Sequence, residues 1–163
     1  MAIPKENYYL NKALGFGRIA EHNPLTNIRS FAAEGSDCEF GKALKFGTDN
    51  EKQVYNFNAA TGVFAGVAGY SIDASDIDNS KFSAGDSVPL IDQGVVTVYA
   101  EEAITKGGSV RIRFDATGPG NFRTSADAGK TVEITEGAEW REDAASGTAV
   151  KLFLSPPFTT SAD

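Results

Sequence analysis

The chain has 163 residues, enough for one domain that buries roughly 70% of its unfolded surface and needs no disulfide or metal to hold it. Its 15 Lys and Arg stand against 22 Asp and Glu, a net charge of -7, so direct nucleic-acid binding, which needs clustered cations against phosphate, is excluded. Cys38 is the single cysteine, which rules out an intramolecular disulfide and reads as a small buried residue.

Residues 1–30 mix Tyr8, Tyr9, Leu10, Leu14, Phe16 and Ile28 with Pro4, Gly15, Gly17 and Pro24, and hold no period of 2 or 3.6. Tyr9 with Ala13 and Leu10 with Leu14 fall at helical spacing, enough for a short turn of helix near residues 9–14. No basic segment followed by an apolar run opens this region, and no apolar stretch in the chain approaches the 18 or so residues of a membrane span. A soluble protein made in a cytoplasm, with no membrane partner, is expected. The segment reads as an N-terminal arm whose aromatic residues close one end of a core or order against a partner.

Residues 31–154 read as a β-domain. Strands are expected at 39–46, 53–58, 63–71, 88–91, 95–100 and 109–114, each bounded by turn residues. Within 53–58, Val54, Asn56 and Asn58 alternate with Tyr55 and Phe57, so one face of that strand is expected to be wet. Gly66 and Gly69 inside a strand-like run predict a bulge or a close backbone approach. A near-repeat carries the clearest signal. Residues 82–90, Phe-Ser-Ala-Gly-Asp-Ser-Val-Pro-Leu, and residues 104–112, Ile-Thr-Lys-Gly-Gly-Ser-Val-Arg-Ile, each run an apolar residue into a glycine turn and leave it as a strand.

The composition of residues 115–121 can only be a loop. Further strands are expected at 130–134, 138–141 and 148–154. Residues 155–163 carry Pro156 and Pro157, which offer no N–H to a ladder, so they read as a C-terminal tail, ordered only if something holds Phe158. Short strands without amphipathic helices between them give an all-β fold, a single-domain antiparallel β-sandwich or barrel, with a jelly roll as one form of it.

Little in the chain looks catalytic. His22, the single histidine, sits in a Glu-His-Asn-Pro turn, and one His with one Cys does not make a zinc site. The acidic run at 73–79 lacks the residue spacing of a calcium loop and reads as a solvated connection. Residues 15–20 loosely match a dinucleotide fingerprint without a strand before it. Glu101 and Glu102, and Glu133 with Glu136, are the available carboxylate pairs, but adjacent acids on a strand point to opposite faces. Trp140, flanked by Glu139 and Arg141, reads as a core or rim residue, or alternatively as a sugar platform. No cofactor and no metal are expected, and no enzyme.

The order of features resembles the structural cement, or capsid decoration, proteins of tailed bacteriophages. The resemblance is carried by residues 28–30, 41–49, 62–68, 82–88, 94–98 and 103–110, spread over residues 15–154. The chain departs from that pattern in its acidic insertion at 73–80 and its Pro-Pro tail. The resemblance implies an all-β virion protein on the exterior of the capsid that ties major capsid protein subunits together. On that basis a homo-oligomer, dimer or trimer, is expected, with Tyr8, Tyr9, Leu10, Phe16, Arg18, Ile28 and Phe158 as capsid contacts. The alternative is a carbohydrate- or receptor-binding β-module of a tail or surface structure.

Overall fold

The computed structural model describes residues 15–21, 24–35 and 38–163. Twelve strands are described: β1 (Ile19–Glu21), β2 (Asn27–Ala33), β3 (Cys38–Glu39), β4 (Ala43–Phe46), β5 (Gln53–Asn56), β6 (Phe64–Ala68), β7 (Lys81–Phe82), β8 (Ser87–Tyr99), β9 (Val110–Arg113), β10 (Phe122–Arg123), β11 (Thr131–Trp140) and β12 (Ala149–Ala162). The protein is all-β, as its sequence predicts. All strand pairings are antiparallel except that of β2 with β5, which is parallel.

The architecture is a small barrel joined to an open sheet through one strand. In the barrel, β8 pairs with β2, β2 with β5, β5 with β4 and β4 with β6, and β6 returns to β8. Five strands leave room only for side chains inside, and the interior is filled by Phe31, Leu44, Val54, Ala65, Val88 and Leu90. The β3–β7 ribbon brings in Cys38, Phe40 and Phe82, and the Phe40 and Phe82 rings meet edge to face at 5.0 Å. Cys38 is fully buried, as expected for a lone thiol of this size.

The open sheet runs β10, β9, β11, β12, β8, with β1 on the far side of β8. A second apolar cluster lies where this sheet packs on the barrel: Ile112, Phe122, Val132, Trp140, Leu152 and Leu154 meet Phe57, Phe64, Val67 and Ile91. Trp140 has no exposed surface, and its Nε1 donates to the Ser109 carbonyl at 3.0 Å. It is a core residue and cannot serve as a sugar platform.

Strand β8 belongs to both units. Residues 88–91 and 95–100, read from sequence as separate strands, form one strand across Asp92-Gln93-Gly94. There the register jumps: Asn27 faces Gln93 and Ile28 faces Ile91, leaving Asp92 as the extra residue of a bulge. Asp92 is buried and held by Asn27 Nδ2 at 2.7 Å and Arg29 Nη2 at 2.7 Å. Gly94 takes φ 118, a conformation nearly closed to side chains. The bulge changes the parity of the strand, so Ile91 before it and Val96 and Val98 after it reach the same cluster.

Other boundaries differ from the sequence reading for local reasons. The run at 39–46 breaks at Gly41, where φ is 72, into β3 and β4. In β5 Val54 and Asn56 are buried while Gln53 and Tyr55 are half-buried, so one face is wetter than the other, as the alternation predicts. Residues 19–21 and 27–33 are strands, so part of the segment read as an arm belongs to the sheets. The segment read as a tail is the second half of β12. Ala138 faces Leu154 and Glu136 faces Thr159, so four residues of β12, the two prolines among them, are looped out of the ladder opposite Gly137 and need no N–H there. Phe158, in the same bulge, packs on Phe64 at 4.8 Å between ring centres, which supplies the anchor that the strand requires to continue.

Gly66 closes the barrel. Its φ is 147, and a Cβ placed on it would stand 2.5 Å from the Ile91 carbonyl oxygen. Opposite it, Leu44 pairs with Gly66 but Lys45 with Phe64, so a bulge at Ala65 accompanies the close approach. Gly66→Ala is therefore expected to cost about 2 kcal/mol or more, measured as a lower urea midpoint with an unchanged slope.

Candidate docking surface

Two of the residues expected at an interface come together on the outer face of the barrel. Arg18 and Ile28 line a groove of about 220 Å³ with Ile19, Tyr70, Pro89 and Ile91. Ile28 stands on β2 directly across from Ile91 of β8 and keeps 52% of its surface exposed, while Ile91 beneath it keeps 2%.

The Arg18 wall is built by the segment that precedes β1. Gly17 donates to the Thr97 carbonyl at 2.7 Å and accepts from the Tyr70 N–H at 2.9 Å. Its φ is 71, and a Cβ there would lie 2.5 Å from the Ala68 carbonyl oxygen, so only glycine lets this segment lie so close to β6. The next residue is thereby fixed over Tyr70, with the Arg18 guanidinium 4.8 Å from the ring centre. Leu25 is 63% exposed just before β2, and Ile72, two residues beyond Tyr70, is 73% exposed.

The remaining expected contacts are placed elsewhere. Phe16 is half-buried, set edge to face against Tyr99 at 5.6 Å, and lines a different cleft. Phe158 spends its ring on Phe64. Tyr8, Tyr9 and Leu10, the helical turn read at 9–14 and His22 lie outside the described residues. Sequence reasoning did not find Tyr70, Ile72 or Leu25. Their exposure depends on which strands flank β8, and no local pattern records that.

Of the carboxylates considered for catalysis, Glu101, Glu102 and Glu133 are committed to arginines and Glu136 to a threonine. Glu101 and Glu102 follow β8 in a bend rather than on a strand, so both reach the same side, correcting the expectation of opposite faces. Arg113, buried, pairs with Glu101 at 2.6 Å, Asp127 at 3.1 Å and Asp115 at 3.3 Å. Arg123 Nη1 lies 3.2 Å from Glu101, and its Nη2 lies 3.2 Å from Glu102. Arg111 holds Glu133 at 2.8 Å and Asp163 at 3.1 Å. Glu136 accepts from the Thr159 hydroxyl at 3.1 Å.

The pairings shift Arg113, Glu102 and Asp115. Glu101, together with Asp115 and Asp127, holds the Arg113 guanidinium charged well beyond its ordinary range, against the opposing effect of burial. Burial pushes Glu102 up, but the Ser125 and Thr124 N–H groups, with Arg123, outweigh it and leave the carboxyl below its usual value. The Thr117 hydroxyl and Arg113 lower Asp115 in the same way. A general acid needs a raised carboxyl, whereas Glu102 and Asp115 are lowered. The acidic connection at 73–80 is likewise pinned: Asp86 accepts from the Ser75 hydroxyl at 2.7 Å, the Ser75 N–H at 2.9 Å and the Ser83 N–H at 2.8 Å. No group of three or more metal-ligating side chains occurs among the described residues.

Comparison with known proteins points the same way as the surface. Residues 3–155 match the family model described as structural cement protein (E217 gp24/Pam3 gp6). Among solved structures, the chain is similar to a chain in the capsid of the Myoviridae phage XM1, at 18% identity and a TM-score of 0.71, covering 86% of this chain and 89% of that one. It is also similar to the N base of the head fiber gp8.5 of bacteriophage phi29, at 15% identity and a TM-score of 0.51, covering 80% and 95%. At these identities the likeness is one of fold. No curated protein matches in sequence.

Because the carboxyls of Glu102 and Asp115 are lowered in the folded state, their contribution is full above the ordinary carboxylate range, about pH 4, and is lost as pH falls through it. Urea midpoints are expected to fall on acidification, and Glu102→Gln to flatten that dependence. Arg113→Met, which leaves three carboxylates facing one another, is expected to cost about 3 kcal/mol at neutral pH by the same measurement.

Proposed function

Since the chain belongs to the structural cement protein family of phage heads, we propose that it sits on the outside of the capsid and bridges adjacent major capsid protein subunits as a homo-oligomer. The barrel and sheet supply rigid bulk. The groove at Arg18, Ile28 and Tyr70, together with the preceding segment that carries Tyr8, Tyr9 and Leu10, supplies the contact. A shell filled with DNA is pressed outward, and a protein that binds the closed lattice better than the open one stabilises it by that difference, repeated at every equivalent site.

The observation that carries this reading is the exposed Ile28 in one groove with an arginine stacked on a tyrosine, with Leu25 and Ile72 exposed near them in the chain. Arginine and tyrosine anchors beside apolar side chains are what a protein partner desolvates to gain affinity. A stable contact buries roughly 1,000 Å² or more, which the groove alone does not offer, so the N-terminal segment is assigned to the same interface. The net charge of -7 favours a position away from packaged DNA.

The alternative of a module that binds receptors or sugars through Trp140 loses its platform, because that indole is in the core. The test uses particles grown without this protein and decorated with purified chain, imaged by electron microscopy. Wild type is expected at lattice junctions. Ile28→Asp and a chain lacking residues 2–14 are expected to stay folded by circular dichroism and to leave those junctions empty. Full occupancy by both variants would overturn the assignment of the interface, and an absence of wild-type density on the shell would overturn the bridging role itself.

A further inference from the structure

A protein that ties two neighbouring subunits together has to touch both of them, and the groove at Arg18 and Ile28 is one surface at one end of β6. A second surface lies at the other end. There a groove of about 510 Å³ opens between the β4–β5 turn and the loop before β6, with Lys45, Phe46, Asn50, Thr61 and Val63 in its walls. β6 runs from this groove at Val63 to the first at Gly69 and Tyr70, which sets the two about 20 Å of strand apart.

Val63 is 66% exposed. The other large apolar side chains exposed among the described residues, Leu25, Ile28 and Ile72, are in the wall of the first groove or within a few positions of residues that are. Val63 alone marks the far end. Phe46, half-buried, joins it there, and the Phe46 N–H donates to the Val63 carbonyl at 3.3 Å, which ties the two walls to each other.

Lys45 is the one charged residue of this lining. Tyr55, across from it on β5, holds its ring 5.6 Å from Lys45 Nζ, and a Cβ on Gly62 would stand 3.1 Å from Lys45 Cδ, so stem and ammonium are both confined at the groove. Lys45 makes no ion pair among the described residues. Glu34 feels its charge, but that carboxylate accepts from the Thr48 N–H at 3.0 Å and from the Thr48 hydroxyl, and Asp49 in the adjoining turn is taken by Lys52 at 3.6 Å. The Asn50 amide and the Thr61 hydroxyl have no hydrogen-bond partner among the described residues either. In a chain with a net charge of -7, a confined cation without an acid of its own complements an acid brought from outside.

Given the bridging role, we propose that this groove is the second contact of the bridge, taking a segment of the neighbouring major capsid protein subunit that carries a carboxylate for Lys45 beside an apolar side chain for Val63 and Phe46. Two weak contacts on one stiff body reinforce each other, because the first raises the effective concentration of the second. A two-fold pairing of copies through this groove is disfavoured, since it brings one Lys45 against another.

The test uses particles grown without this protein. Val63→Asp, at an exposed position, and Lys45→Met, which keeps the stem and removes the charge, are each expected to stay folded by circular dichroism and to bind the shell about tenfold more weakly in co-sedimentation. At concentrations that restore full occupancy, Val63→Asp is expected to leave the rupture temperature of the shell where it stands without the protein, since one contact decorates and does not bridge. Val63→Cys labelled with a photo-crosslinker identifies the occupant, because Cys38, the native thiol, is buried. An adduct with the major capsid protein is expected. With wild type bound to the shell, unchanged affinity and rupture temperature in both variants, an adduct with a second copy of this chain, or no adduct at all overturns this surface alone. Wild type that does not bind overturns the bridging role as well, so the two failures are read from different measurements.

Discussion

The bulge at Asp92 in β8 is the constraint on which the rest of this structure depends. A strand with strict alternation serves two faces and no more. β8 instead must line the barrel interior with Val88 and Leu90, then feed the cluster between barrel and sheet with Ile91, Val96 and Val98. One extra residue, followed by a glycine at φ 118, changes the parity and allows it. The cost is a buried carboxylate, offset by Asn27 and Arg29 from the neighbouring strand. Those same two residues place β2, and with it Ile28, on the outer face.

Two kinds of glue then act at the two ends of the molecule. Around the barrel, backbone is packed against backbone, and glycines at 17 and 66 stand where a Cβ would meet a carbonyl oxygen at 2.5 Å. At the far edge of the sheet, Arg111, Arg113 and Arg123 gather six carboxylates from β11, the chain end and the connecting loops. The strands of that edge bury one face in the apolar cluster, and a connected set of charge-assisted pairs ties down the loops beyond it. The consequence is a body held from both ends, with Leu25, Ile28 and Ile72 exposed outside its core.

Much of this was legible in the residues. The two glycine turns of the near-repeat are real turns, at Gly85 and Gly107, each with positive φ and each followed by a strand. Gly66 marks a bulge because a glycine inside an apolar run has few other uses. Other features left no local trace. Pro156 and Pro157 argue correctly against a ladder, yet β12 resumes beyond them, because Phe158 finds Phe64, a residue more than ninety positions earlier. The alternation in β5 does not say that the face carrying Asn56 is the buried one, because that depends on where β5 lies between its two barrel neighbours.

By itself the sequence determined the class of the fold, the positions of its turns and the charge of its surface, since each follows from the steric and solvation preferences of a few consecutive residues. Tertiary structure alone decided that one strand would be shared between barrel and sheet, that Glu101 and Glu102 would meet arginines rather than substrate, and that Lys45 and Val63 would line a common groove. These depend on contacts between residues far apart in the chain, and the free energy of such a contact exists only once closure has brought both partners into place.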